Sequence, residues 1–273
     1  MQKKRPLILL TNDDGIQSPG IWAAAAQLQE IGEVRVIAPR EQMTSAGRSH
    51  PTSSDGLISE FTRVINGAEV RGLAVGGSPA QVVHFAMHEI LTRRPDLIVS
   101  GINYGSNTGM DITRSGTVGA ALEGASYGVP AMAVSFETTA EMVYSHSADV
   151  DFSVAAFFTG MFAKQVLKKK LDHDVYILKV EVPSNATVET PWEVATLSPV
   201  SVYVPEFQKR RGRGVPAQLS WKMQSDTTVF PPGSDAYTVY VKRLVAVTPL
   251  SLDLTSRVNL EKFEKKLRLL DSK

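Results

Sequence analysis

Along the first half of the chain, short uninterrupted apolar runs alternate with longer stretches in which apolar residues recur at three- and four-residue spacing. "PLILL" reads as a short buried strand, and "PGIWAAAAQLQEIG" as a helix with Pro19 near its start and Gly32 at its end. "EVRVIAP" is a second strand. In "SPAQVVHFAMHEILTRRP", Ser78 caps a helix and Pro79 sits just inside it. "DLIVSG" is a third strand, "SGTVGAALEGASYG" a small-residue helix ending at Gly128, and "VPAMAVSF" a fourth strand. Strands alternating with helices predict an α/β protein whose mainly parallel sheet is covered on both faces. Between the second strand and the Ser78 helix, "GLISEFTRVINGAEVRGLAV" predicts a hairpin turning at Asn66-Gly67.

The second half has a different rhythm. A long helix, roughly Val150 to Lys170, precedes the strand "VYILKVEVP". "WEVATLSP", "AQLSWKM" and "AYTVYVKRLVAVTPLSLDL" all read as strands, and a helix from about Val258 to Leu270 closes the chain. A basic, glycine-rich stretch, "EFQKRRGRGVPAQ", lies between them. The expected division is an α/β catalytic core over residues 1–184 and a β-rich extension with a terminal helix over 185–273. The extension has little core of its own, which predicts burial on a second copy of the chain.

Composition excludes more than it identifies. Of 273 residues, 43% are hydrophobic and 21% charged, the balance of a globular protein. A net charge of +1 gives no global field to recruit nucleic acid or an acidic membrane. The absence of cysteine excludes disulfides, thiolate metal sites and a cysteine nucleophile. The apolar run Leu7 to Leu10 is too short for a secretion signal, and nothing approaches the roughly 18 apolar residues of a membrane span, so a cytoplasmic location is expected.

The chemistry concentrates after the strands. In "LILLTNDDGIQSPGI" a buried strand emerges directly into two adjacent acids. Neighbouring carboxylates repel and are costly to desolvate, so either they are solvated in a turn or a cation lies between them. Ligands in open parallel sheets gather at the carboxyl ends of strands. There the chain offers Asn12, Asp13 and Asp14, then Thr44, Ser45 and Ser49, then Ser100, Asn103 and Asn107. All are oxygen donors, which suits magnesium, manganese or calcium. Ser115, Gly116 and Thr117 open a helix whose free N–H groups suit a phosphate. The five histidines show no ligand spacing of their own. His84 and His88 stand four apart on one helix without a glutamate-histidine motif, and read as a packed or surface pair.

The segments "ILLTNDDGIQSPGI", "VIAP", "GGSPAQVV", "PDLIVSGINYGSNTGMD", "SGTVGAALEGASYGVPAMAVS" and "VTPLSLDLT" resemble, in order, the signatures of the SurE family of metal-dependent nucleotidases. The resemblance implies a Rossmann-like core with a C-terminal β-rich extension that assembles homodimers or homotetramers. It implies hydrolysis of nucleoside 5'-monophosphates, with 3'-nucleotides and short polyphosphate as further substrates, and no specific nucleic acid partner. One divalent cation per subunit, magnesium or manganese, would be held by Asp13, Asp14, Asn103 and a hydroxyl after the second strand. That hydroxyl falls on Thr44, where the family usually has serine, with Ser45 as the substitute. Asp13 and Asp14 would then be catalytic through metal-activated water, and Asn12, Ser115, Gly116 and Thr117 would hold the phosphate. Two other readings compete. One is a non-catalytic Rossmann-like protein binding a nucleotide or RNA through "KRRGRG", and the other a metal-dependent glycosyl transferase.

Overall fold

A computed structural model describes residues 5–139, 142, 149–169, 171–207, 210, 212–217 and 219–270. Within the basic stretch, Lys209 and Arg211 lie outside the described residues.

Six strands form the parallel centre: β1 (Leu7–Thr11), β2 (Glu33–Pro39), β4 (Ala68–Val75), β5 (Leu97–Tyr104), β6 (Ala131–Phe136) and β7 (Ile177–Val182). All eight residues of β5 are buried, as its continuous aliphatic run requires of a strand covered on both faces. β3 (Ile58–Ile65) pairs antiparallel with β4, and the turn at Asn66 and Gly67 takes φ of 51° and 79°. Two positive φ values in a two-residue loop make the primed turn that the Asn-Gly pair predicts.

Helices α1 (Pro19–Leu28) and α4 (Ser153–Lys168) cover one face, around Ile21, Leu28, Phe158 and Phe162. On the other face α2 (Pro79–Phe85) and α3 (Gly116–Ser126) pack around Val82, Val83, Val118 and Ala121. Ser78 and Gln81 cap α2 reciprocally, each side chain accepting from the other's backbone N–H at 3.2 and 3.0 Å. A single wide turn, Ala86–Ile90, continues α2.

Beyond residue 184, β8 (Trp192–Val194) and β11 (Val245–Leu250) join the edge of the main sheet. The strand order is β3-β4-β2-β1-β5-β6-β7-β11-β8, with β11 antiparallel to β7. β9 (Tyr203–Phe207) and β10 (Leu219–Met223) form a separate hairpin. The last helix, α6 (Leu260–Leu270), follows.

The stretch "AYTVYVKRLVAVTPLSLDL" is not one strand. Its first part is helical, α5 (Asp235–Tyr237) running on through Thr238–Lys242, and only Val245–Leu250 is extended. Alternation of aromatic and β-branched residues favoured a strand, but tertiary contacts override it. Ser234 caps the turn, and Asp235 is fully buried against Lys179, with Nζ to Oδ2 at 3.0 Å. Among the described residues no helix is long and apolar enough to cross a membrane.

Candidate active site

The carboxyl ends of β1, β2 and β5 open on a cavity of about 330 Å³. Asp13, Thr44, Ser45, Asn103 and Ser115 line it together. Four segments far apart in sequence thus meet at one rim, as strand-end logic required. β5 reaches this rim through an irregularity, a register shift against β6 between Ser100 and Asn103 that redirects the asparagine. Asn103 donates its amide to the carbonyls of Tyr104 and Gly105, at 3.0 and 2.7 Å. Its Oδ1 is left as the acceptor available to the cavity.

Asp13 and Asp14 are buried, with 3% and 1% of their surface exposed. Burial raises the Asp13 carboxyl to about 6, although the Thr117 hydroxyl and the N–H groups of Thr117 and Gly116 partly offset the cost. Thr117 Oγ1 donates to Asp13 Oδ1 at 2.5 Å. Asp14 is also pushed above the usual carboxylate range, by burial and then by the charge of Asp13. Its oxygens accept from the Tyr104 N–H at 3.1 Å and from Gln42 Nε2 at 3.2 Å. Among the described residues, no lysine or arginine offsets either acid. Two buried carboxylates paired with no lysine or arginine among the described residues, beside a cavity that offers an amide oxygen and a hydroxyl, are a donor set that fits a hard divalent ion.

The N-terminus of α3 presses on this pair. A side chain at Gly116 would place its Cβ 2.7 Å from the Asp13 Cβ and 2.8 Å from Oδ2, so only glycine admits the carboxylate there. Ser115 caps the helix by accepting from Val118 N–H at 3.1 Å, and it faces the cavity. Asn12 is fully buried and closes the turn on Gly15, donating to its carbonyl at 2.9 Å and accepting from its N–H at 3.2 Å. Asn12, Gly116 and Thr117 therefore shape and hold the acids from behind, and do not themselves line the cavity.

The opposite wall carries residues that sequence reasoning did not single out. Arg114 pairs with Asp111 at 2.8 Å, and its guanidinium stacks 3.9 Å from the centre of the Trp221 ring. Tyr203, Leu219 and Ser220 complete this wall from the β9–β10 hairpin. Asn107, one of the strand-end donors offered by the sequence, lines the cavity too; its backbone N–H donates to Glu181 Oε2 at 2.9 Å and its amide donates to Ser135 Oγ at 3.0 Å.

A family model described as Survival protein SurE matches residues 8–202. The chain belongs to the SurE family. Two similar SurE relatives are both named 5'-nucleotidase SurE. That of Thermococcus kodakarensis is 39% identical over 264 residues, 95% of this chain and 98% of the relative. That of Thermococcus gammatolerans is 38% identical over 262 residues, 94% of each. The crystal structure of the SurE protein from Aquifex aeolicus superposes with a TM-score of 0.74 at 30% identity, covering 97% of this chain and all of that one. The segment after the first strand and the one containing Asn103 thus carry Asp13 and the amide to one cavity, while Asp14, next to Asp13, is buried and does not line it.

Proposed function

We propose that this chain is a metal-dependent phosphatase that releases phosphate from nucleoside 5'-monophosphates. The observation that carries this reading is the adjacent, buried pair Asp13 and Asp14, of which Asp13 shares one cavity with Asn103 and Thr44, with no lysine or arginine among the described residues offsetting either acid. A binding protein has no need of such a costly pair. Asp13, Asp14, Asn103 Oδ1 and the Thr44 hydroxyl would hold one magnesium or manganese ion, with Ser45 as the neighbouring hydroxyl. When bound, the ion supplies positive charge that polarises the phosphoryl group and acidifies water.

The chain's own groups do the rest. The α3 N–H groups and the Thr117 hydroxyl favour the ionised form of Asp13, which is the form a cation requires. Gln42 and the Tyr104 N–H orient Asp14. Ser115 and Arg114 give the cavity polar and cationic groups for phosphate oxygens, and Tyr203 and Trp221 give a flat surface for a nucleoside. The exposed Phe207 and Leu219 of the β9–β10 hairpin, and Leu260, Phe263 and Leu267 of α6, support assembly as a homodimer or homotetramer through residues 185–273.

Phosphate release across nucleotides, with chelator and with manganese restored, tests the reading. Release from nucleoside 5'-monophosphates that stops with chelator and returns with manganese is expected. Equal release by wild type and Asp13→Asn, or none from any nucleotide by folded, manganese-loaded protein, would overturn it.

A further inference from the structure

Down α3 from Thr117, toward its C-terminal end, lies a second polar cluster that the active site does not use. Its centre is Glu123, whose side chain is 5% exposed. Arg48 Nε holds Oε2 at 2.7 Å, while Ser126 Oγ lies 3.3 Å from Oε1. Two imidazoles approach the same carboxylate. His84 Nε2 lies 3.3 Å from Oε1 and His50 Nε2 lies 3.5 Å from Oε2. One ligand atom from each of His50, His84 and Glu123 falls within 4.8 Å of the others. Ligands on a tetrahedral ion with bonds of about 2.1 Å are roughly 3.4 Å apart, so each imidazole stands about one such edge from the carboxylate oxygen it faces, and the trio, within 4.8 Å, would draw in around an ion.

The surroundings orient the same atoms. Tyr127 Oη lies in hydrogen-bond contact with His84 Nδ1 and 2.7 Å from His88 Nε2. A phenol has a single proton, so it donates to one imidazole and accepts from the other. With His84 Nδ1–H donating to the phenol and the phenol donating to His88, the lone pair of His84 Nε2 faces Glu123. Histidine ligands usually give their second nitrogen to such a partner. Arg48 holds Oε2 and fixes the carboxylate, so an ion bound through Oε1, beside His84, would draw the His50 ring across from Oε2.

We propose that His50, His84 and Glu123 form a second metal site, selective for a borderline divalent ion of the zinc class. Two nitrogens and one oxygen suit zinc or cobalt, whereas magnesium prefers the all-oxygen set at Asp13 and Asp14. The ion joins three elements: the loop after β2, α2 and α3. That loop carries Thr44 and Ser45, and it already leans on its neighbours through Gly47 N–H to the Arg114 carbonyl at 3.0 Å and Ser78 Oγ to the Ser49 carbonyl at 2.6 Å. A bound ion would therefore clamp the segment that presents a hydroxyl to the active site.

Cobalt(II) titration of the chelator-stripped full chain, followed by visible absorption, tests the site without reference to activity. Wild type and the Asp13→Asn/Asp14→Asn double variant are both expected to give the intense ligand-field bands of four-coordinate cobalt. His84→Ala and His50→Ala should lose the bands or need at least about tenfold more cobalt, and Tyr127→Phe should weaken binding about tenfold. His50 is a half-exposed loop residue, so its replacement leaves the helices intact and is the decisive variant. Absence of the bands in wild type would overturn the proposal. So would bands that persist in His50→Ala, or bands that disappear in the Asp13→Asn/Asp14→Asn variant alone.

Discussion

Thr117 and Asp13 are joined by a 2.5 Å hydrogen bond that ties the first turn of α3 to the end of β1. The bond sets the charge of the acid as well as its position. Replacing Thr117 with valine keeps the shape, removes the donor and leaves burial less opposed, so the Asp13 carboxyl should rise further above about 6. Manganese affinity, measured by calorimetry near neutral pH, is expected to fall by about 10- to 100-fold, the usual effect of losing a partner of a metal ligand. Thr117→Ser keeps the hydroxyl and should stay within a few-fold of wild type.

The same pair predicts an inverted pH dependence in metal-free protein. Asp13 has its folded-state pKa raised from 3.8 to about 6, so the folded state binds more protons than the unfolded state between those values. Its contribution to stability is fully present below the unfolded pKa and is lost as pH rises through the folded one. Asp13→Asn removes that loss. In chelator near pH 7 the variant should be more stable than wild type by on the order of 2 kcal/mol, read from urea unfolding. With manganese added the order should reverse, because only the aspartate gains the ion's binding energy.

A buried triad supports the other side of the cavity. Lys179 Nζ lies 3.3 Å from Glu181 and 3.0 Å from Asp235, and all three side chains are fully buried. The two acids in turn receive the N–H groups of Asn107 and Gly109, each at 2.9 Å, so the triad holds the loop after β5. Lys179→Met leaves two buried carboxylates without their cation. A loss of about 3–5 kcal/mol in urea unfolding is expected, as for other broken buried ion pairs.

How much of this was legible in the sequence follows from how local each signal is. The parallel centre could be read because each strand is a short aliphatic run and each helix has its own cap, as Ser78 and Gln81 show. The Asn66-Gly67 turn was legible for the same reason. Asp13, Asn103 and Thr44 converge because a parallel sheet places all its strand ends on one side. What was not legible depends on contacts between distant segments. Nothing local marks Trp221 as a partner of Arg114, or Gln42 as a partner of Asp14. His84 read as one of a helical pair, whereas the fold adds His50 from a loop and Glu123 from another helix. The strand reading of Ala236–Lys242 failed where a buried aspartate and a serine cap outweighed β-propensity.

Exposed apolar side chains motivate a prediction about assembly. Phe207 on β9 is 77% exposed, and Phe263 and Leu267 on α6 are both close to half exposed. Light scattering at micromolar concentration is expected to give at least a dimer. Replacing Phe263 and Leu267 with serine should lower the mass or weaken association, since the change touches no buried core. A well-folded wild-type monomer would refute the assembly.

The hydroxyl after β2 is the sharpest test of the oxygen site. Thr44 and Ser45 both line the cavity, and Ser45 takes a φ of 63°, a left-handed backbone that few side chains adopt. Both hydroxyls are therefore candidates, and substitution separates them. If Thr44 is the ligand, Thr44→Ser keeps the oxygen and should change manganese affinity and phosphate release little. Thr44→Val keeps the shape without the oxygen, and should weaken manganese binding by at least about tenfold with a parallel fall in activity. Ser45→Ala should leave both nearly unchanged. The opposite pattern, with Thr44→Val active and Ser45→Ala impaired, would move the ligand one residue along the loop while leaving Asp13, Asp14 and Asn103 in place. Retained activity in Asp13→Asn and Asp14→Asn under chelator would instead remove the metal from the reaction altogether.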